Sequence, residues 1–342
     1  MGVPMAVWIA AGLGAAGIKI YREMRNVKQI IENAEARYDD EKYAFYQAQK
    51  KIMPATIALG KLKVESWVSL GRLATILLKM EHLPRQMTYL SFENFRMGKP
   101  EGEILKEKAQ LVQAVINQEL AVEGTGIFTA LCLYGATMTQ KLDKQELNQL
   151  PGFPRCEKGS TILEALVASK FKIKPAGMVA EAAIINSLLN VPNLITDFGV
   201  TELDEKDKTK AMEIKDKIDY RSMELADAVG RIQRVHAVIE RLVTGLQKLQ
   251  TEYLVQIANL EALTANKVDF EKYDAKEQTL FVYTCFLVKT LRSVTRTDLL
   301  LKRGSFNVLN TIDIRNSIEL IRAVFPELDP YAIEDVPKKV KK

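Results

Sequence analysis

Hydrophobic positions recur every seven residues through the second half of the chain, at Ile218, Leu225, Ile232, Ile239, Leu246, Tyr253 and Leu260. A companion row three residues on holds Ala228, Val235, Leu242, Leu249 and Leu263, with Arg221 and Gln256 as exceptions. Two such rows on one helix form the apolar stripe of a coiled coil. No proline falls between Pro192 and Pro326, so one helix is expected over 201–267. At 1.5 Å per residue it would be roughly 100 Å long.

A second row precedes it, with Met24, Ile31, Tyr38, Phe45, Ile52 and Leu59 again seven apart. Val27, Ala34, Ala48, Ala55 and Leu62 accompany it, and Glu41 is the exception. Pro54 lies inside this arm, where a missing N–H and a clash with the preceding turn predict a kink near Ile52. Helical patterning resumes from Ala55 to Leu83 and stops at Pro84. The expected fold is all-α: an elongated bundle with two long antiparallel coiled-coil arms and an apolar helical midsection.

The segments divide as an apolar N-terminal helix over 1–21, a first arm kinked at Pro54 over 22–97, and the midsection over 98–200. The long heptad helix over 201–267, C-terminal helices over 268–326 and a basic tail over 327–342 follow. In the midsection, Gly124–Gln140 reads as buried core with a bilayer role as the alternative, and Ala176–Thr196 is a further apolar stretch. Gln278–Val288 is uncharged but too short to span a bilayer. Leu299–Leu301 and Gly304 are expected to end that helix, with Val308–Phe325 as a final amphipathic one.

Residues Gly2 to Ile18 carry no charge, which meets the lower limit of about 17 residues for crossing a bilayer. Lys19, Arg22, Arg25 and Lys28 follow it, so the positive-inside bias keeps the bulk of the chain in the cytoplasm. A cleaved signal would need its basic residues before the apolar core, and a buried globular helix is the other alternative. Trp8 sits where an interfacial ring would anchor the segment, so Trp8, Lys19, Arg22 and Arg25 are the candidate membrane-contact residues. Ala6 in place of Ser or Thr argues against myristoylation.

Charge changes this picture little. With 48 Lys and Arg against 43 Asp and Glu, the formal net charge of +5 is spread along the chain, which argues against a nucleic-acid partner. Cys132, Cys156 and Cys285 have unrelated spacings and read as buried reduced thiols. His82 and His236 are the only histidines, far apart and without a carboxylate pattern that predicts a metal site. GLGAAG at 12–17 has the spacing of a dinucleotide loop but lies in the uncharged run with no strand before it. Hydrolase and NTPase motifs are missing, and the carboxylate clusters at Asp39–Glu41 and Glu202–Glu205 read as solvated faces. No catalytic residue, cofactor, metal or small-molecule substrate is therefore expected. Membrane lipid and a protein partner or second copy are.

The apolar N-terminus, the stretch AEARYDDEKYAFYQAQKKI and the following LGKLKVESW together resemble a group of bacterial helical proteins, some described as chemotaxis-like. In that group a Gly/Ala-rich apolar hairpin precedes a long charged helix and a final hydrophobic helix, similar to Thr279–Leu301 here. The resemblance implies a membrane-associated, non-enzymatic helical protein. A second likeness, to α-helical pore-forming toxins, is architectural. The expected function is a membrane-associated coiled-coil scaffold or assembly protein. The alternatives are a pore former or membrane-remodelling protein that inserts the midsection, and a soluble oligomeric scaffold.

Overall fold

The computed structural model describes residues 15–84, 86–87, 97–121, 208–303 and 306–327, with Cys132, Leu133, Ala136, Thr137, Leu189 and Phe198 from the intervening chain. Over 15–28 and 114–121, and at 108, 111, 302 and 306, the description is of the backbone. Five helices account for 85% of these residues, so the all-α expectation holds at that level. They are α1 (Ala15–Lys79), α2 (Lys99–Ala121), α3 (Lys208–Asn266), α4 (Ala275–Thr295) and α5 (Thr311–Val324). A 3-10 turn, Phe270–Lys272, joins α3 to α4.

The chain divides into two compact units, one of Met1–Lys50 with Val191–Gln233 and one of Lys51–Asn190 with Arg234–Lys342. In the first unit Ile31, Ala34, Tyr38 and Phe45 of α1 are buried, as are Ala211, Ile214, Ile218, Leu225 and Ile232 of α3. Arg37 pairs with Asp219 at 2.8 Å, and the ring of Phe198 meets Tyr38 edge-on at 5.1 Å.

In the second unit the heptad row continues past Leu59 through Ser66, Leu73 and Met80, all buried. On α3, Ile239, Leu246, Tyr253 and Leu260 are fully buried. Near its end the companion row moves one place, with Ile257 rather than Gln256 in the core. A straight α-helix drifts against a strict seven-residue repeat, and this shift by one position compensates for it.

The two long helices run in the same direction in this unit, which corrects the antiparallel expectation. Tyr253 Oη donates to the carbonyl of Ser69 at 2.8 Å, Arg72 forks onto both oxygens of Glu261, and His82 meets Asp269. The partners are separated by 184, 189 and 187 residues, so position on one helix rises with position on the other. A heptad pattern selects which faces meet and leaves direction open. Direction follows from the connection, and a long one lets the chain return to the end where it began.

Pro54 does not end α1, which continues through it to Lys79. Pro54 and Lys50 are both exposed, so water can replace the donor that the Lys50 carbonyl loses. Pro54→Ala should therefore stabilise the protein. A helix-interior proline costs about 3 kcal/mol relative to alanine, offset by about 0.4–1 kcal/mol because it also restricts the unfolded chain. An increase of about 2 kcal/mol in urea unfolding free energy is expected.

Small residues let α2 lie close to α1. A Cβ on Gly71 would sit 2.8 Å from the Cβ of Ala109, and one on Gly102 would sit 3.2 Å from the Cβ of Leu77. Gly60 faces backbone directly, where a Cβ would lie 2.0 Å from the carbonyl oxygen of Cys132.

After α4 the chain forms an antiparallel hairpin, β1 (Leu300–Arg303) with β2 (Phe306–Leu309), a second correction. Leu299–Leu301 and Gly304 do not finish the preceding helix, which stops at Thr295, and α5 begins at Thr311 rather than Val308. The register pairs Leu300 with Leu309 and Arg303 with Phe306, leaving residues 304 and 305 between the paired ends. Gly-Ser between two short apolar runs is a two-residue hairpin signal. The Asn310 N–H donates to Leu299 at 2.8 Å, and the Asn310 side chain caps α5. Gly245 of α3 receives Ile321 of α5, whose Cδ1 lies 2.7 Å from where a Cβ would stand.

Candidate functional site

A cluster of polar contacts lies where the chain leaves α1 and α3. Beyond Lys79, Glu81 donates its N–H to Val268 at 2.9 Å and accepts from Phe270 at 3.1 Å, an isolated parallel bridge centred on Asp269. His82 follows with φ 52, in the left-handed region that histidine, asparagine and aspartate enter more readily than other side chains. That turn brings His82 Nδ1 to 3.0 Å from Asp269 Oδ1. Asp269 also caps the 3-10 turn, accepting the Glu271 N–H at 3.1 Å, and its other oxygen lies 3.2 Å from Lys272 Nζ.

Charge at the pair is mutually reinforcing. Its hydrogen bond to Asp269 raises the pKa of His82, and the same bond lowers that of Asp269. The donor atoms of His82, Asp269 and Glu271 fall within 4.8 Å of one another. Asp269 Oδ1 serves two partners, His82 and the Glu271 N–H, and the Lys272 ammonium lies at Oδ2. The arrangement is an ion-pair junction.

Beneath the bridge an aromatic cluster fixes the return of the chain. Phe270 packs against Phe281 and Tyr273 at centroid distances of 5.3 and 5.5 Å. Tyr273 Oη donates to the Lys267 carbonyl at 3.0 Å, and burial pushes its phenol up to about 12. Asp274 and Glu277 form a capping box at the start of α4, and Lys267 Nζ meets Glu277 at 2.6 Å.

A cleft of about 330 Å³ opens beside the junction, lined by Met80–Pro84 and by Met97, Gly98, Lys99 and Glu101 at the start of α2. Its volume is at the lower end of ligand-pocket sizes. His82 can hold or release a proton there, and none of the described lining residues is a Ser, Thr or Cys nucleophile.

A second polar cluster is fully enclosed. Lys63 of α1 sends its ammonium to the carbonyls of Thr297 at 2.8 Å and Ala136 at 3.3 Å. Thr297 lies just past the C-terminus of α4, where the helix dipole places negative potential. Burial pushes the Lys63 pKa down to about 8, and the carboxylate of Asp298 acts in the opposite direction. Thr297 and Ser317 share a hydrogen bond between their hydroxyls, tying this turn to α5.

The predicted seam residues Ile218, Leu225, Ile232, Ile239, Leu246 and Leu260 are all buried. Of the candidate membrane contacts, Trp8 lies outside the described residues, and Lys19, Arg22 and Arg25 lie on the α1 backbone. None of the described helices is long and apolar enough to cross a membrane. Cys132 and Cys285 are buried, the latter with its thiol pKa raised by burial, while Cys156 lies outside the described residues. Neither cluster is visible in local sequence pattern, because its members are brought together from distant segments. The second histidine does have a carboxylate at helical spacing: Glu240 Oε1 is 3.7 Å from His236 Nε2, one turn along α3.

The chain matches no protein-family model, no curated protein and no solved structure. The likeness to the bacterial helical group therefore carries no residue role onto this sequence.

Proposed function

We propose that this protein is a non-enzymatic helical scaffold that positions or assembles partner proteins at a bilayer, held there by its apolar N-terminal segment with the bulk of the chain on the cytoplasmic side. The observation that supports this reading is the course of α1. It is described from Ala15, inside the uncharged segment, and continues without a break into the heptad row that is buried from Ile31 onward. A helix transmits position along its axis because every residue is fixed by the backbone ladder. An apolar end continuous with a packed seam would thus orient the scaffold.

Pore formation by Gly124–Thr139 and Ala176–Thr196 is the weaker reading. Insertion of the first would break the Lys63 bond to Ala136 and the backbone approach of Gly60 to Cys132.

Flotation with phosphatidylcholine vesicles in high salt tests the proposal. The full chain is expected to float and a variant lacking residues 1–18 to stay at the bottom. If the full chain stays down as a monodisperse oligomer without detergent, the soluble-scaffold reading replaces the anchor. Dye release from the same vesicles would instead favour the pore.

A further inference from the structure

We propose that His82 and Asp269 form a pH-sensitive latch that holds the segment leaving α1 against the segment leaving α3 and, through Glu81 and His82, sets one wall of the adjoining cleft. The latch does not depend on the scaffold reading. Its geometry is a side-chain clasp laid over a minimal backbone bridge: Glu81 N–H to Val268, Phe270 N–H to Glu81, and the imidazole on Asp269. An isolated bridge has no neighbouring ladder bonds to reinforce it, so its opening depends on what clasps it.

Four groups set the charge on the clasp. The carboxylates of Asp269 and Glu271 face His82 from the 3-10 turn, Glu81 adjoins it on its own segment, and Lys272 lies on the far oxygen of Asp269. Across the cleft, Lys99 and Glu101 line the wall at the start of α2. Because the pKa of His82 is raised in the folded protein, its contribution is complete below the ordinary histidine value of 6.5 and fades as pH rises through the raised value. Asp269 is lowered, so its contribution is present above the ordinary 3.8 and is lost only at more acidic pH. The latch is thus strongest in the mildly acidic range and loosens toward alkaline pH. A neutral imidazole still donates from Nδ1, and 58% of the His82 side chain is exposed, so loosening is graded.

Hydrogen exchange of the Glu81 and Phe270 amides, corrected for intrinsic rate and measured from pH 5.5 to 8.5, tests the latch on the full chain. Protection should fall roughly two- to five-fold across the imidazole titration, the size expected for an exposed ion pair. His82→Asn, which tolerates the left-handed backbone, should remove that pH dependence. In parallel, the chain has only two histidines, so proton NMR with a His236→Gln control assigns the His82 titration. A His82 titration at or below 6.5, or the same exchange profile in wild type and His82→Asn, would overturn the proposal.

Discussion

Gly60→Ala is expected to destabilise the protein by about 3 kcal/mol or more, read as a fall in the urea unfolding midpoint. The added Cβ would lie 2.0 Å from the carbonyl oxygen of Cys132 and 2.5 Å from its carbon and Cα. All three are backbone atoms, so no side-chain rotation can relieve the overlap, and either α1 or the segment at Cys132 must move. Movement would also pull the Ala136 carbonyl from Lys63. Gly230→Ala is the matched control, since nothing lies within 4 Å of a Cβ there. That substitution should gain about 1 kcal/mol, the ordinary helix-interior preference for alanine. Equal effects at the two sites would show that the close approach at Cys132 is absent.

The second large effect belongs to Lys63. The unfolded chain holds this proton up to about 10.5, whereas the folded protein releases it near 8. Between these values the unfolded state binds more protons, so raising pH favours the native state. Each pKa unit corresponds to about 1.36 kcal/mol, giving a gain of up to about 3 kcal/mol between pH 8 and 10.5. Buried tyrosines oppose it at the alkaline end: the pKa of Tyr253 is raised by burial and Tyr273 reaches about 12, so both ionise more readily when unfolded. Comparison with Lys63→Met isolates the lysine, because the tyrosines are common to both chains. The wild type should gain stability relative to the variant as pH rises from 8 to 10. A constant difference across that range would mean that the Lys63 amine is solvated.

The parts of this fold that sequence could reveal are those written in local periodicity. Every member of the ladder from Ile218 to Leu260 is buried, as are Ile31 through Leu59 at seven-residue intervals. Lys63 was partly legible too. Gln49, Thr56, Lys63, Leu70 and Leu77 are also seven apart and all buried, a flank beside the main seam that its polar members disguise. The hairpin had a signal in Gly304-Ser305, but its strands are too short to establish alternation. Helix direction and the junction at His82 were beyond local pattern. His82 and Asp269 are 187 residues apart, and only the parallel course of α1 and α3 makes them neighbours.

Tyr253 occupies a ladder position that is otherwise aliphatic, and its hydroxyl leaves the seam to reach the Ser69 carbonyl. Aliphatic heptads are nearly interchangeable, so two such helices could slide by seven residues with little loss of apolar contact. One step toward either end of α1 puts the branched side chains of Leu62 or Ile76 where the small Ser69 stands beside the phenol tip. With the fork of Arg72 on Glu261, that hydroxyl marks the phase of a repeating interface, one alignment among several that hydrophobicity would accept.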